Sequence, residues 1–140
     1  MKSINILLVE DNEGDILLTT EAFDESKIVN QVNVIKDGRE AINFFEGLTD
    51  KKNAPHLVLL DINLPKMSGH EVLMYLKSNP KYKHIPVIML TTSSSEKDIM
   101  MSYNNYANCY ITKPIDVADF MAAIIKIEDF WINIVTIAAK

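Results

Sequence analysis

The chain alternates between two hydrophobic periods. Ile6-Leu7-Leu8-Val9, Leu57-Val58-Leu59-Leu60, Val87-Ile88-Met89-Leu90 and Tyr110-Ile111-Thr112 are apolar runs bounded by turn signals, the pattern of strands buried on both faces of a helix-covered parallel sheet. Val32-Asn33-Val34-Ile35 adds a shorter strand, closed by the turn signal Asp37-Gly38. Between these runs the period lengthens to that of a helix. Ile16, Leu17, Thr20 and Phe23 mark one reaching about Ser26, Ala41, Ile42 and Phe45 one ending near Gly47, and Val72, Leu73 and Leu76 one stopped by Asn79-Pro80. Ser93-x-x-Glu96 and Ser95-x-x-Asp98 each fit a capping box, which starts a fourth helix near Ser95, and Asp116-x-x-Asp119 opens a fifth. Such regular alternation predicts an α/β fold of three layers, a parallel sheet with right-handed crossovers and helices on both faces.

The last helix, expected over about 117–136, carries one polar stripe of Lys126, Asp129, Asn133, Thr136 and Lys140 on an otherwise apolar surface. One face of a sheet cannot cover so wide an arc. Phe120, Ile124 and Ile127 belong to the core. Phe130, Trp131, Ile134 and Val135 are left as an exposed apolar patch, the mark of an interface, and a symmetric homodimer is expected.

At 140 residues, with 48% hydrophobic and 24% charged positions, the chain has the size and composition of a single soluble domain, residues 1–140. A formal net charge of −5 argues against nucleic acid or an anionic membrane as partner, because both reward basic patches. No apolar stretch approaches the roughly 20 residues that cross a bilayer, and Met1-Lys2-Ser3 runs straight into the first strand, so no signal peptide is expected. The single Cys109 fits a reducing compartment, and a cytoplasmic location follows as the expectation.

Four of the strand runs stop on chemically capable residues: Glu10-Asp11, Asp61, Thr91 and Lys113. In open parallel sheets ligands bind outside the carboxyl ends of the strands, so these groups converge on one crevice. Three carboxylates without a partner repel one another, and a hard divalent cation resolves the conflict. Magnesium, which takes carboxylate, carbonyl, water and phosphate oxygens, suits Glu10, Asp11 and Asp61 better than zinc or copper. His56, His70 and His84 have no metal-ligand spacing. With a cation in place, one carboxylate can act as a nucleophile toward a phosphoryl group. Lys113 then offers a counter-charge and Thr91 a hydroxyl for an equatorial oxygen, which is what phosphoryl transfer needs.

These residues, with the loop Asn63-Leu64-Pro65-x-Met67-x-Gly69, Tyr110 and Lys113-Pro114, resemble the response-regulator receiver domains of two-component signalling over essentially the whole chain. The resemblance implies a flavodoxin-like strand order 2-1-3-4-5 and Asp61 as phosphoacceptor. It implies Asp11, Asp61 and the backbone carbonyl of Asn63 as magnesium ligands, Glu10 acting through water, and Lys113 on the phosphoryl oxygens. Thr91 and Tyr110 become switch residues that remodel the face made by helix four, strand five and helix five, and the Lys113-Pro114 peptide is expected to be cis. Two positions depart from the commonest pattern: Thr92 stands where a smaller residue is frequent, and Glu10 replaces an aspartate. Leu90-Thr91-Thr92-Ser93, Tyr106 through Pro114 and Ile127-Glu128-Asp129-Phe130-Trp131 further resemble the stand-alone receivers typified by cyanobacterial phytochrome response regulators. That subgroup implies a sensor histidine kinase as partner, often a bacteriophytochrome.

Other classes meet specific objections. An aspartate-nucleophile phosphohydrolase carries a second aspartate two positions after the first, where Asn63 stands. A flavin carrier needs a Ser/Thr/Gly-rich phosphate loop after the first strand, and Glu10-Asp11-Asn12 occupies that place. The expectation is a receiver that catalyses only its own phosphorylation and dephosphorylation, and signals by protein contact or serves as a phosphate relay or sink.

Overall fold

The computed structural model describes residues 4–25 and 30–134. In chain order the elements are β1 (Ile4–Val9), α1 (Glu13–Asp24), β2 (Asn30–Ile35), α2 (Gly38–Glu46), a 3-10 turn (Lys51–Asn53), β3 (Leu57–Leu60), α3 (Gly69–Ser78), β4 (Val87–Thr91), α4 (Glu96–Asn104), β5 (Cys109–Thr112) and α5 (Val117–Glu128). All strand pairs are parallel, in the order β2-β1-β3-β4-β5. This is the flavodoxin-like architecture.

Successive residues of the central strands point to opposite faces and build two separate cores. Leu7, Val9, Val58, Leu60, Val87 and Met89 meet Phe45 of α2 and Val72, Leu73 and Leu76 of α3. Ile6, Leu8, Leu57, Leu59, Ile88 and Leu90 meet Phe23 of α1 and Phe120, Ile124 and Ile127 of α5. β3 and β4 are buried throughout, which is why their sequences show no polar alternation. β5 differs from the expectation of a strand buried on both faces: its residues are half-buried and Thr112 is exposed. It forms one edge of the sheet, so part of each side chain faces solvent.

Each helix start has a local cause. Asn12, Asp37, Ser68, Ser95 and Asp116 are N-caps whose side chains accept a backbone N–H in the first turn, each satisfying a donor the helix cannot pair itself. Ser95 and Asp116 were legible as such. The full reciprocal capping box is at Ser68 and Glu71, where Ser68 N–H also donates to Glu71 Oε2 at 2.9 Å. α4 is the most lightly anchored helix, with Ser102 its only buried residue.

Two features at the end of the chain differ from expectation. No peptide bond among the described residues is cis, so Lys113-Pro114 is trans. The trans isomer carries the intrinsic preference of about 0.5–1 kcal/mol, and Lys113 reaches the carboxylates with that isomer. The last helix is α-helical to Glu128 and continues over Asp129–Ile134 with the wider π-type turn. Of the expected interface residues, Phe130 is half exposed and Trp131 packs partly on the second core. The ring of Trp131 meets that of Phe130 edge-on at 5.5 Å. Val135 and the side chain of Ile134 lie outside the described residues.

Candidate functional site

The backbone ladder carries each site residue to the carboxyl edge of the sheet. Glu10 N–H donates to Ile35 O at 2.9 Å, Asp61 N–H to Val9 O at 3.1 Å and Lys113 N–H to Thr91 O at 2.7 Å. Glu10 and Asp61 continue buried strands by one step past the last apolar position, and Lys113 follows the exposed Thr112 of the half-buried β5, so each strand hands on a buried polar group. Glu10 is 2% exposed, Asp61 7%, Thr91 0% and Lys113 7%, while Asp11 turns outward and is exposed.

Carboxylate oxygens of Glu10, Asp11 and Asp61 lie within 4.8 Å of one another, close enough to share a divalent cation. The donor set is all oxygen and carries three potential negative charges, which fits a hard ion. The Lys113 ammonium bonds Glu10 Oε1 at 2.5 Å, Asp15 Oδ2 at 2.8 Å and Asp61 Oδ2 at 3.1 Å. The other Asp61 oxygen accepts from Ile62 N–H at 2.7 Å and Asn63 N–H at 3.4 Å. Asp61 is thus oriented by backbone on one side and by Lys113 on the other.

Burial drives the electrostatics. Loss of water pushes the Glu10 carboxyl up to about 7; the Lys113 bond opposes this and the charge of Asp61 adds to it. Burial alone would lower Lys113, but its bonds to Asp15 and Glu10, with the charge of Asp61, hold the ammonium above the ordinary lysine range. Lys113 therefore stays cationic in a site largely buried from solvent, where its charge is screened less than at the surface.

The loop after β4 links the site to the outer helices. Thr91 Oγ1 accepts from Ser93 N–H at 3.4 Å, so its hydroxyl is engaged within its own loop. Tyr110 donates its hydroxyl to Ser93 O at 2.8 Å, and Ser93 Oγ bonds Asp98 Oδ2 at 2.5 Å. Asp98 also bonds Nε2 of the buried His70 at 2.9 Å, joining α4 to α3. The Asp98 carboxyl lies below its usual range because of Ser93 first and His70 second.

Glu10, Asp11, Asp61, Thr91 and Lys113 are expected in one crevice; the structure places the three carboxylates and the Lys113 ammonium together, while the buried Thr91 hydroxyl bonds Ser93 N–H instead. Sequence reasoning missed Asp15. The available signal was its place one helical turn beyond Asp11, at the start of a helix that rises from the end of β1. An acidic residue in a first helical turn has an ordinary dipole explanation, which hid the contact.

A flavodoxin-like sheet whose carboxyl edge holds an acidic cluster against a buried lysine narrows the field to phosphoryl-handling α/β signalling domains. The chain belongs to the response regulator receiver domain family, which it matches over residues 6–125. It is 42% identical over 136 residues to response regulator Rcp1 of Synechocystis sp., an alignment spanning 96% of this chain and 92% of that protein. The Mn(2+)-bound form of Rcp1 superposes with a TM-score of 0.91 at 41% identity, covering 97% of this chain and 99% of that one. The phosphorylated cyanobacterial phytochrome response regulator RcpA superposes equally well, with a TM-score of 0.91, 42% identity and the same coverage, 97% and 99%. A third relative, the probable methanogenesis regulatory protein FilR2 of Methanothrix harundinacea, is 36% identical over 131 residues, 91% of this chain and 83% of that protein.

Proposed function

We propose that the chain is a response regulator that takes a phosphoryl group from the phosphohistidine of a sensor histidine kinase onto Asp61. A carboxylate oxygen of Asp61 forms the new bond to phosphorus, the P–N bond to the imidazole breaks, and the histidine leaves with the bonding pair and takes up a proton. The observation that carries this reading is the Lys113 ammonium, 4% exposed at its side chain and 3.1 Å from Asp61 Oδ2, beside the cluster of three carboxylates. Asp11 and Asp61, with the Asn63 carbonyl, are the proposed magnesium ligands, and Glu10 would act through water. A bound Mg2+ supplies charge neutralisation at the phosphoryl oxygens. Lys113 supplies it from the protein side, and the Ile62 and Asn63 N–H groups keep Asp61 aimed.

The output is proposed to leave through α4, β5 and α5. Met100, Tyr103, Tyr106, Ile115 and Val117 are large exposed apolar residues on that part of the surface, and the loop of Ser93 connects it to Thr91 and Tyr110. Thr91 is the proposed sensor of the phosphoryl group and Tyr110 the aromatic switch. A second copy is the proposed occupant of the apolar groove of about 320 Å³ where Cys109 and Ile111 of β5 face Ile127, Phe130 and Trp131. A bacteriophytochrome is the kinase to test first, because RcpA is a phytochrome response regulator. The cytoplasm, where kinases have ATP, is the proposed location.

Incubation with acetyl phosphate and Mg2+ followed by intact mass measurement tests the core of this proposal. The parent is expected to gain one phosphoryl group and Asp61→Asn none. An equal gain by Asp61→Asn would overturn the assignment.

A further inference from the structure

An ammonium has three N–H donors, and Lys113 spends all of them on carboxylates: Glu10 Oε1, Asp15 Oδ2 and Asp61 Oδ2. A phosphoryl oxygen arriving at Asp61 therefore finds no free donor on Lys113. The bond to Asp61 is given up as that carboxylate becomes an acyl phosphate, and a second donor for the phosphoryl oxygens must be freed from Glu10 or Asp15. Glu10 and Asp61 belong to the cluster that could hold a cation, and Asp15 does not. Asp15 is also the most hydrated of the three, its side chain 24% exposed against 3% for Glu10 and 8% for Asp61. Releasing it into water costs least, because a partly exposed carboxylate recovers its hydration whereas a buried one is left unpaired.

The position of Asp15 is built by the start of α1. Its backbone N–H donates to the N-cap Asn12 side chain at 2.9 Å, which fixes the residue in the first turn. That turn follows directly on Glu10 and Asp11, so the carboxylate is delivered from a rigid element to the lysine at the far end of the chain.

We propose that Asp15 is a positioning residue for Lys113: it holds the ammonium beside Asp61 before phosphorylation and competes with the phosphoryl oxygens for it afterwards. The proposal rests on Asp61 as phosphoacceptor. By this account Asp15 sets how readily the site fills, since freeing a second donor breaks a charge-assisted bond besides that of Asp61 itself. Its negative charge also repels the incoming dianion, so both effects have the same sign.

Asp15→Asn keeps the shape and an acceptor oxygen while removing the charge; Asp15→Ala removes both. Two measurements separate this role from a helix-cap role. In metal-free protein, hydrogen exchange of the Lys113 ammonium, followed by 15N NMR, is expected to speed up several-fold in Asp15→Ala. With Mg2+ present, beryllofluoride, a phosphoryl mimic, is expected to bind Asp15→Asn roughly threefold or more tightly than the parent, the scale of one partly exposed charge pair. Unchanged ammonium exchange in both variants, or beryllofluoride affinity equal to or weaker than the parent's in Asp15→Asn, would overturn the proposal. The Asp61 assignment fails separately: it is lost if Asp61→Asn still gains a phosphoryl group, and the ammonium measurement reads out in either case. If Asp15→Ala does not fold, Asp15→Asn carries both measurements.

Discussion

Gly69 lies against the backbone of Asp61 at the end of β3 so closely that a Cβ built on it would sit 2.0 Å from Asp61 O and 2.7 Å from Ile62 Cα. The contact is backbone on backbone. Gly69 N–H donates to Ile62 O at 2.8 Å, so the first residue of α3 closes the loop that begins at Asp61. Glycine is required here for close approach, not for an unusual dihedral angle.

Gly69→Ala is accordingly expected to do more than a surface glycine change. The methyl can only be admitted by moving the Asp61 carbonyl, which shifts the carboxylate and its bonds to Ile62 and Asn63. A loss of about 1–3 kcal/mol is expected in urea unfolding, the range for an overpacked buried site. Phosphorylation by acetyl phosphate, read by intact mass, should fall with it. Stability within a few tenths of the parent would show that the loop yields without strain.

The Tyr110 hydroxyl ties β5 to the Ser93 carbonyl in the loop before α4. Tyr110→Phe removes this bond and keeps the ring. About 0.5–1.5 kcal/mol of stability should be lost, the net worth of a neutral hydrogen bond, with faster amide exchange at Ser93 to Ser95. Phosphorylation of Asp61 should persist, since Tyr110 makes no contact with Lys113 or Asp61 among the bonds that orient them. A variant that could no longer be phosphorylated would place Tyr110 in the acceptor site itself.

What the sequence revealed and what it hid divide along a physical line. β1, β3 and β4 were legible because strands covered on both faces leave no room for polar positions, and their last residues could be placed because strand ends share one edge. β5 was misjudged as buried because Tyr110-Ile111 is apolar, yet an edge strand shows half of each side chain to water. Asp15 was invisible as a site residue, and Gly69 was legible only as part of a loop pattern, for another reason: each has an ordinary local explanation, a first-turn acid and a turn glycine. Only the contact of Asp15 with Lys113, 98 residues away, and of Gly69 with the Asp61 backbone gives them a role. The network from His70 through Asp98 to Ser93 likewise joins segments whose spacing in the chain carries no signal.

Phe130 is half exposed on the turn that follows α5, with Trp131 edge-on beneath it. If a second copy covers this patch, Phe130→Ser should weaken self-association while leaving the fold intact, because an exposed ring contributes little to the monomer core. Equilibrium sedimentation at micromolar concentration is expected to give a dimer for the parent and a lighter species for the variant. A clean parent monomer, with and without beryllofluoride, would remove the homodimer from the proposed function.

Glu10 gives the site a pH dependence whose sign can be worked out. Its carboxyl lies near 4.5 when unperturbed and is raised to about 7 in the folded, metal-free protein, chiefly by burial. Between those values the folded state binds more protons than the unfolded state, so this group's contribution to stability falls as pH rises through that window and is constant above it. A divalent cation at the cluster favours the ionised carboxylate, so its binding must expel the Glu10 proton below about pH 7 and need not do so above. Apparent Mg2+ affinity should therefore climb by up to about tenfold per pH unit below 7 and then level off. In thermal unfolding, the rise in Tm produced by Mg2+ should be clearly larger at about pH 8 than at about pH 6. Glu10→Gln cannot ionise and should show nearly the same increment at both. Equal increments in the parent would mean that Glu10 is already ionised at the lower pH, and that Lys113 outweighs the burial of its carboxylate partner.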